Sequence, residues 1–227
     1  MDLIVEGKLQ EGDRLASERD LCDTFDVSRT VIREAVSILE AKGLVSSVTG
    51  SGTYVRSIQR EDVVNSLGLY ISTNTKSVSM MHLLEVRWVI ETQVARYAAE
   101  RASDEDIRLL EEEWQMMCRL KDNPMVFAEK DLNFHVLLAR ASGNPLFEIM
   151  LQPLTDVLLQ SIYVGSTLPG ITEQACSYHR NVMDAIKAHD PDQAVKAIQD
   201  HLKQTRVVTI RGLREKERHE TVDETHG

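Results

Sequence analysis

Residues Val27-Ser28-Arg29-Thr30-Val31-Ile32-Arg33-Glu34-Ala35 carry the reading from which the rest of the chain is ordered. Ser28 is placed to accept a hydrogen bond from the first turn of a helix. That helix runs to Lys42 and stops at Gly43, a residue suited to the left-handed position just past a helix end. Val31, Ile32, Ala35, Val36 and Leu39 recur at the i, i+3/i+4 spacing of one buried face. Upstream, Ser17 with Asp20 at the third helical position opens a shorter helix ending near Phe25. Downstream, Val45–Val48 and Tyr54–Arg56 flank Thr49-Gly50-Ser51-Gly52, the pattern of a small β-hairpin.

Two short helices joined by a tight turn and followed by a hairpin read as a helix-turn-helix with a wing. In that arrangement the second helix offers its N-terminus to the major groove. Here the N-terminus carries Ser28, Arg29, Thr30 and Arg33, with no acid between Asp26 and Glu34. Arg29 and Arg33, four residues apart, share a face opposite the Val31/Ala35/Ile38 side. Helix amides and hydroxyls suit phosphate, and arginine suits guanine O6 and N7. Arg19, on the preceding helix, is placed for a backbone contact. Two arginines on an arbitrary helix are more simply a solvated face; the flanking helix, the turn and the hairpin favour DNA.

From residue 61 the pattern is helical almost throughout, with helices expected over 61–73, 79–101, 104–121, 125–142, 145–165, 171–189 and 192–210. Ser103 with Asp106, Asn144-Pro145 and Asp190-Pro191 mark helix starts, and proline at the first helical position loses nothing by lacking an N–H. The expected fold is mainly α: a winged head over 1–57, a linker with a short helix over 58–78, and an all-helical bundle over 79–210. The stretch 211–227 alternates charges with little to bury and is expected to be disordered.

Three of these helices each carry an imidazole on an apolar face. Asp131 and His135 are four apart on one of them, His179 is in register with Val182, Met183 and Ile186, and His201 with Ala197, Ile198 and Thr205. Pro191 makes the last two helices an antiparallel hairpin, so His179 and His201 can approach. A single core histidine is ordinarily just packed; three with a carboxylate suit a divalent ion such as Zn²⁺, Ni²⁺, Mn²⁺ or Fe²⁺. Such an ion would also relieve the cost of burying Asp131. Arg87, at helical spacing from Leu83, Leu84, Ile90 and Val94, is a candidate second anchor for a carboxylate ligand, or else the partner of Glu91 or another acid.

The head residues Gly12-Asp13-Arg14-Leu15, Ser17-Glu18-Arg19-Asp20-Leu21, Val27–Ala35, Leu39-Glu40, Gly43-Leu44-Val45 and Gly50–Val55 together resemble the GntR-family winged helix-turn-helix. The helical remainder looks like the effector domain of its FadR branch, the FCD domain, so the resemblance covers about residues 2–210. It implies DNA contacts by Arg19, Arg29, Thr30 and Arg33, with Gly50 at a wing tip entering the minor groove. It implies a metal on Asp131, His135, His179 and His201, a small carboxylate or sugar-acid effector anchored by Arg87, and a homodimer on a palindromic operator. Ala16 departs from the family pattern, which usually has proline there, and the chain begins close to Gly7, so a short first helix is expected.

Composition bounds these readings. With 26 Lys+Arg against 36 Asp+Glu the formal net charge is −10, and residues 1–57 alone hold 7 basic and 10 acidic side chains. Bulk positive charge is therefore excluded as the means of holding DNA, and specific contacts must carry it. Aromatics at 5% argue against a stacking groove for single strands. No apolar run reaches membrane-spanning length and no secretion signal is evident, so a cytoplasmic protein with no membrane partner is expected. Cys22, Cys118 and Cys176 are odd in number and widely spaced, which predicts neither a disulfide framework nor a cysteine zinc site. Two other readings stay open on residues alone. One is a metal-dependent hydrolase or lyase with a nucleic-acid module, although no general base or nucleophile elbow accompanies the metal set. The other is a DNA-binding protein whose helical part only dimerises.

Overall fold

The computed structural model describes the backbone of residues 2–224 and the side chains of residues 2–4 and 6–212. The chain forms two compact units, Met1–Val63 and Val64–Gly227.

The first unit contains α1 (Asp2–Val5), α2 (Glu18–Phe25), α3 (Arg29–Ala41), β1 (Val45–Val48) and β2 (Gly52–Val55). Ser17 caps α2 by accepting from the Asp20 amide, and Ser28 caps α3 by accepting from the Val31 amide. Asp26 takes the left-handed conformation between them, at φ 53°, which turns the chain sharply. The strands pair antiparallel with Val45 opposite Val55 and Val48 opposite Gly52. A bridge from Arg14 to Tyr54 lays the 12–15 segment along β2 as a third edge, which the residue pattern did not suggest. Gly52, at φ 136°, holds a backbone conformation that other residues rarely adopt, and a Cβ there would also displace the end of the Arg14 side chain, 2.6 Å away, so glycine is favoured.

The α3 face departs from expectation. Ile32 is its one buried residue, while Val31, Ala35 and Ile38 are exposed. An apolar groove lined in part by Leu3, Phe25, Val31 and Ala35 runs between α1, α2 and α3.

The second unit is a helical bundle entered through α4 (Arg60–Thr73) and built from α5 (Met80–Arg101), α6 (Asp104–Arg119), α7 (Pro124–Ala141), α8 (Pro145–Ser166), α9 (Ile171–Lys187) and α10 (Pro191–Glu224). The starts follow the capping chemistry: Ser79 and Ser103 form capping boxes, and Asn123 and Asn144 cap helices that begin with proline. Helix α7 lies at the centre, packed by α5, α6 and α8, while α10 packs on α5, α8 and α9. Phe134, Leu138, Leu151, Leu158, Val182 and Ile198 fill the core. Ala95, Ala98 and Ala99 let neighbouring helices close on α5.

Two expectations are corrected. Helix α10 continues to Glu224 through the stretch expected to be disordered; its Arg, Glu and Lys residues have high helix propensity and extend a helix already nucleated by packing. Residues 225–227 of that stretch lie outside the described part. Cys118 and Cys176, 58 residues apart in sequence, form a disulfide with Cα atoms 5.8 Å apart. The packing of α6 on α9 brings them together, which spacing in sequence does not report.

Candidate metal centre and nucleic-acid interface

Asp131 and His135, one turn apart on α7, meet His179 from α9 and His201 from α10, and all four are buried. One ligand atom from each lies within 4.8 Å of every other, so the bundle brings together the whole expected set. His135 Nε2 is 3.0 Å from His201 Nε2, and His179 Nε2 is 3.4 Å from Asp131 Oδ1.

The proton positions follow from the partners on the far sides of the rings. His179 Nδ1 lies 2.8 Å from the Ala175 carbonyl, which can only accept, so Nδ1 carries the hydrogen and Nε2 presents a lone pair. That lone pair faces a carboxylate oxygen, and His179 Nε2 has no hydrogen-bond partner. Two buried acceptors aimed at one another are costly unless a cation stands between them. Burial pushes the His179 imidazolium down to about 4, against the opposing pull of Asp131. Burial, then the neighbouring His179 and His135, also holds His201 well below its ordinary value. Both rings are therefore neutral at physiological pH, the form that ligates metal.

Glu91 of α5 supports this set. Its Oε2 lies 2.5 Å from His135 Nδ1, directing the other ring nitrogen at the cluster, as an outer carboxylate orients a metal-bound histidine. Burial alone would raise the Glu91 pKa, but the Arg87 guanidinium and His135 outweigh it and hold the carboxyl down to about 2. Arg87 is fully buried and joins Glu91 through Nε, while Nη1 and Nη2 have no hydrogen-bond partner. Of the two sequence readings of Arg87, the pairing with Glu91 is seen on one edge of the guanidinium, and the other edge has no hydrogen-bond partner. The role of Glu91 toward His135 went unread, although its place one turn from Arg87 on the buried face of α5 was a signal.

A cavity of about 40 Å³ adjoins the cluster, with Asp131 and His201 in its wall beside Tyr178, Gln204 and Thr205. That volume holds a few water molecules and no more. One flank is the crossing of α8 and α10, where Gly165 faces Val208 and Gly212 faces Val164.

In the head, Arg19, Ser28, Arg29, Thr30, Arg33 and Gly50 are all exposed. Gly50 occupies the hairpin turn at φ 75°, closed by a hydrogen bond from the Ser51 amide to the Val48 carbonyl. Arg33 is not simply solvated: its Nε lies 3.1 Å from both carboxylate oxygens of Glu18 on α2. This pair ties the two helices together and sets the direction of the guanidinium.

Comparison with known proteins agrees with the geometry. The family model described as bacterial regulatory proteins, gntR family, matches residues 1–55, and that of the FCD domain matches residues 82–204. The HTH-type transcriptional repressor NanR of Escherichia coli K12 is 35% identical over 201 residues, covering 85% of this chain and 74% of that protein. The repressor of the same name from Klebsiella aerogenes is 33% identical over 210 residues, covering 88% and 78%. Among solved structures, Streptococcus agalactiae GntR superposes with a TM-score of 0.63 at 28% identity, covering 90% of this chain and 94% of that one. A GntR-family regulator from Pseudomonas syringae pv. tomato, at 18% identity and TM-score 0.54 over 96% of this chain and 84% of that one, shares the fold. Among the described residues no helix is long and apolar enough to cross a membrane. A winged helix-turn-helix head followed by a helical domain with a buried Asp/His₃ cluster, together with these relatives, places the chain in the gntR family of bacterial regulatory proteins, as a DNA-binding transcription regulator with an FCD effector domain.

Proposed function

We propose that the protein is a cytoplasmic, homodimeric repressor whose hold on a palindromic operator is set by a small carboxylate or sugar acid bound beside a divalent metal. The observation that carries the metal is the lone pair of His179 Nε2 facing the Asp131 carboxylate with no proton between them. Asp131, His135, His179 and His201 would hold the ion, and Zn²⁺, Ni²⁺, Mn²⁺ and Fe²⁺ all suit this donor set. A bound ion of this kind supplies coordination positions that a carboxylate can occupy. Arg87 Nη1 and Nη2, buried and without hydrogen-bond partners, would neutralise the remaining charge of the acid.

The cavity beside the cluster is too small for such an acid, so binding must move its walls. Helix α10 carries His201 at the cluster and Val208 at the α8 crossing, so displacement there would be transmitted along the helix. An effector favouring one arrangement of the bundle changes operator affinity by its differential affinity for the two arrangements. In the head, Arg29 and Arg33 would read base edges, Ser28, Thr30 and Arg19 would hold phosphates, and Gly50 would approach the minor groove. The relatives are regulators, which sets aside the hydrolase or lyase reading.

The test is a thermal-shift screen of small carboxylates with and without EDTA, followed by operator-binding assays on each hit. A hit that stabilises only the metal-loaded protein and weakens operator binding is expected. Operator affinity indifferent to every stabilising acid would overturn the proposal.

A further inference from the structure

We propose that Cys118 and Cys176 form a reversible redox site that clamps the helix carrying His179, oxidation tightening the metal centre and reduction loosening it. The clamp stands on the geometry of α6 and α9; its link to metal affinity rests on the metal reading above.

Cys118 lies in the last turn of α6 and Cys176 in the second turn of α9, both half-buried, so small oxidants and thiols reach them. A disulfide with such access exchanges where one sealed in a core does not. The seam around it is held independently. Trp114 Nε1 donates to the Cys176 carbonyl at 2.9 Å, and the Arg180 guanidinium lies 5.0 Å from the Trp114 ring centre. Lys121 pairs with Glu173 at 2.6 Å and Lys187 with Glu111 at 2.7 Å. These contacts keep α6 beside α9 when the sulfur–sulfur bond opens, so the two thiols remain facing and the cycle can run both ways.

The clamp acts on the turn that orients a metal ligand. Ala175, adjacent to Cys176, supplies the carbonyl that holds the His179 Nδ1 proton and directs Nε2 at Asp131. Ile171, Ala175 and Tyr178 of the same turns also line the cavity beside the cluster. Tethering this stretch to α6 restricts its local opening, and groups that orient a ligand from outside its coordination shell typically govern affinity by about 10–100-fold.

The oxidant we assign is a hydroperoxide. One thiolate attacks the distal peroxide oxygen, breaking the O–O bond, releasing an alcohol (water, for hydrogen peroxide) and leaving a sulfenic acid. The second thiol attacks that sulfur, forming the disulfide and releasing water. Two thiols are oxidised by two electrons in all, and the peroxide is reduced by the same two. A low-molecular-weight dithiol reverses the change by exchange.

The experiment compares the full chain after hydrogen peroxide with the chain kept in dithiothreitol, alongside Cys118→Ser and Cys176→Ser. Alkylation should count three free thiols in the reduced chain and one, Cys22, in the oxidised chain. Hydrogen exchange on the metal-free chain should show slower exchange over residues 171–179 only in the oxidised wild type. Mn²⁺, which thiolates bind poorly, should bind the oxidised form about tenfold more tightly by calorimetry, with both serine variants matching the reduced chain under either condition. Thiols that survive peroxide, or equal exchange in the two forms, overturn the clamp. Slower exchange with equal Mn²⁺ affinity overturns its link to the metal. If neither form binds metal while the exchange difference holds, the clamp stands and the metal reading is what fails.

Discussion

His179 Nε2 and Asp131 Oδ1 stand 3.4 Å apart inside the bundle, two acceptors facing each other because the only proton on the His179 ring is committed to Ala175. In a low-dielectric interior this arrangement is unfavourable by itself and becomes favourable around a cation. The order of the site is thus set from outside inward: Ala175 orients His179, Glu91 orients His135, and Arg87 fixes Glu91.

His179→Ala removes one donor of four while leaving the head untouched. Metal affinity, read by competition with a chromophoric chelator, is expected to fall at least about tenfold. EDTA should lower the melting temperature of the wild type, since an ion at a hundred times its Kd stabilises by about 2.7 kcal/mol, and should lower that of the variant less, since a site about tenfold weaker keeps about 1.4 kcal/mol at the same ion concentration. Equal metal content in the two proteins would remove His179 from the site.

Glu91→Gln leaves the Arg87 charge buried without its counter-ion and slackens the hold on His135. Breaking one side of a buried pair costs about 3–5 kcal/mol. Chemical denaturation should show a loss of that order, and the double variant Arg87→Met/Glu91→Gln should recover part of it. A loss under about 1 kcal/mol would mean that water or another group already compensates Arg87.

Arg29→Ala and Arg33→Ala alter exposed side chains and are expected to leave the melting temperature of the protein nearly unchanged. Each should weaken operator binding by about 1–3 kcal/mol if it reads a base. Arg33→Ala also releases Glu18, a nearby acid, so its loss should lie toward the upper end and be relieved in part by Glu18→Gln. Fluorescence anisotropy on a labelled operator measures both, and unchanged affinity would remove the residue from the interface.

Gly165→Ala places a methyl group 2.7 Å from Val208 Cγ1, at the crossing of α8 and α10 beside the cavity. Overpacking of this kind costs about 1–3 kcal/mol. The loss should be recovered by Val208→Ala, and the coupling between the two changes, read by thermal unfolding, locates the contact. Additive losses would mean the helices separate there readily.

Non-specific duplex binding should be weak, with a shallow dependence on salt because few phosphates are neutralised, since the head carries 7 basic against 10 acidic side chains. Titration with unrelated DNA at several salt concentrations checks this.

Most helix boundaries were legible because their determinants are local. Ser17, Ser28, Ser103 and Asn144 cap helices in the structure at the positions their chemistry predicts, and a capping hydrogen bond spans only two or three residues. The Asp131/His135 pair was legible for the same reason, being one helical turn. The Cys118–Cys176 bond was not, since nothing within either helix records what lies across the α6–α9 seam. The extension of α10 to Glu224 was misjudged because a charged stretch without apolar periodicity scores as disorder even when a packed helix leads into it.

The amino-acid sequence by itself determined the winged head, the all-helical domain behind it, and the four residues at which imidazole and carboxylate would have to meet. Hydrogen bonds one turn apart and a 3.6-residue apolar repeat are written in the chain, so no tertiary information was needed for them. What only the tertiary structure decided is how those groups face one another. It showed that His179 turns its lone pair toward Asp131, that Glu91 stands behind His135, that Arg87 keeps one edge unpaired, and that Arg33 leans on Glu18. Each is a relation across helices, fixed by packing angles and by the few partners that burial leaves available.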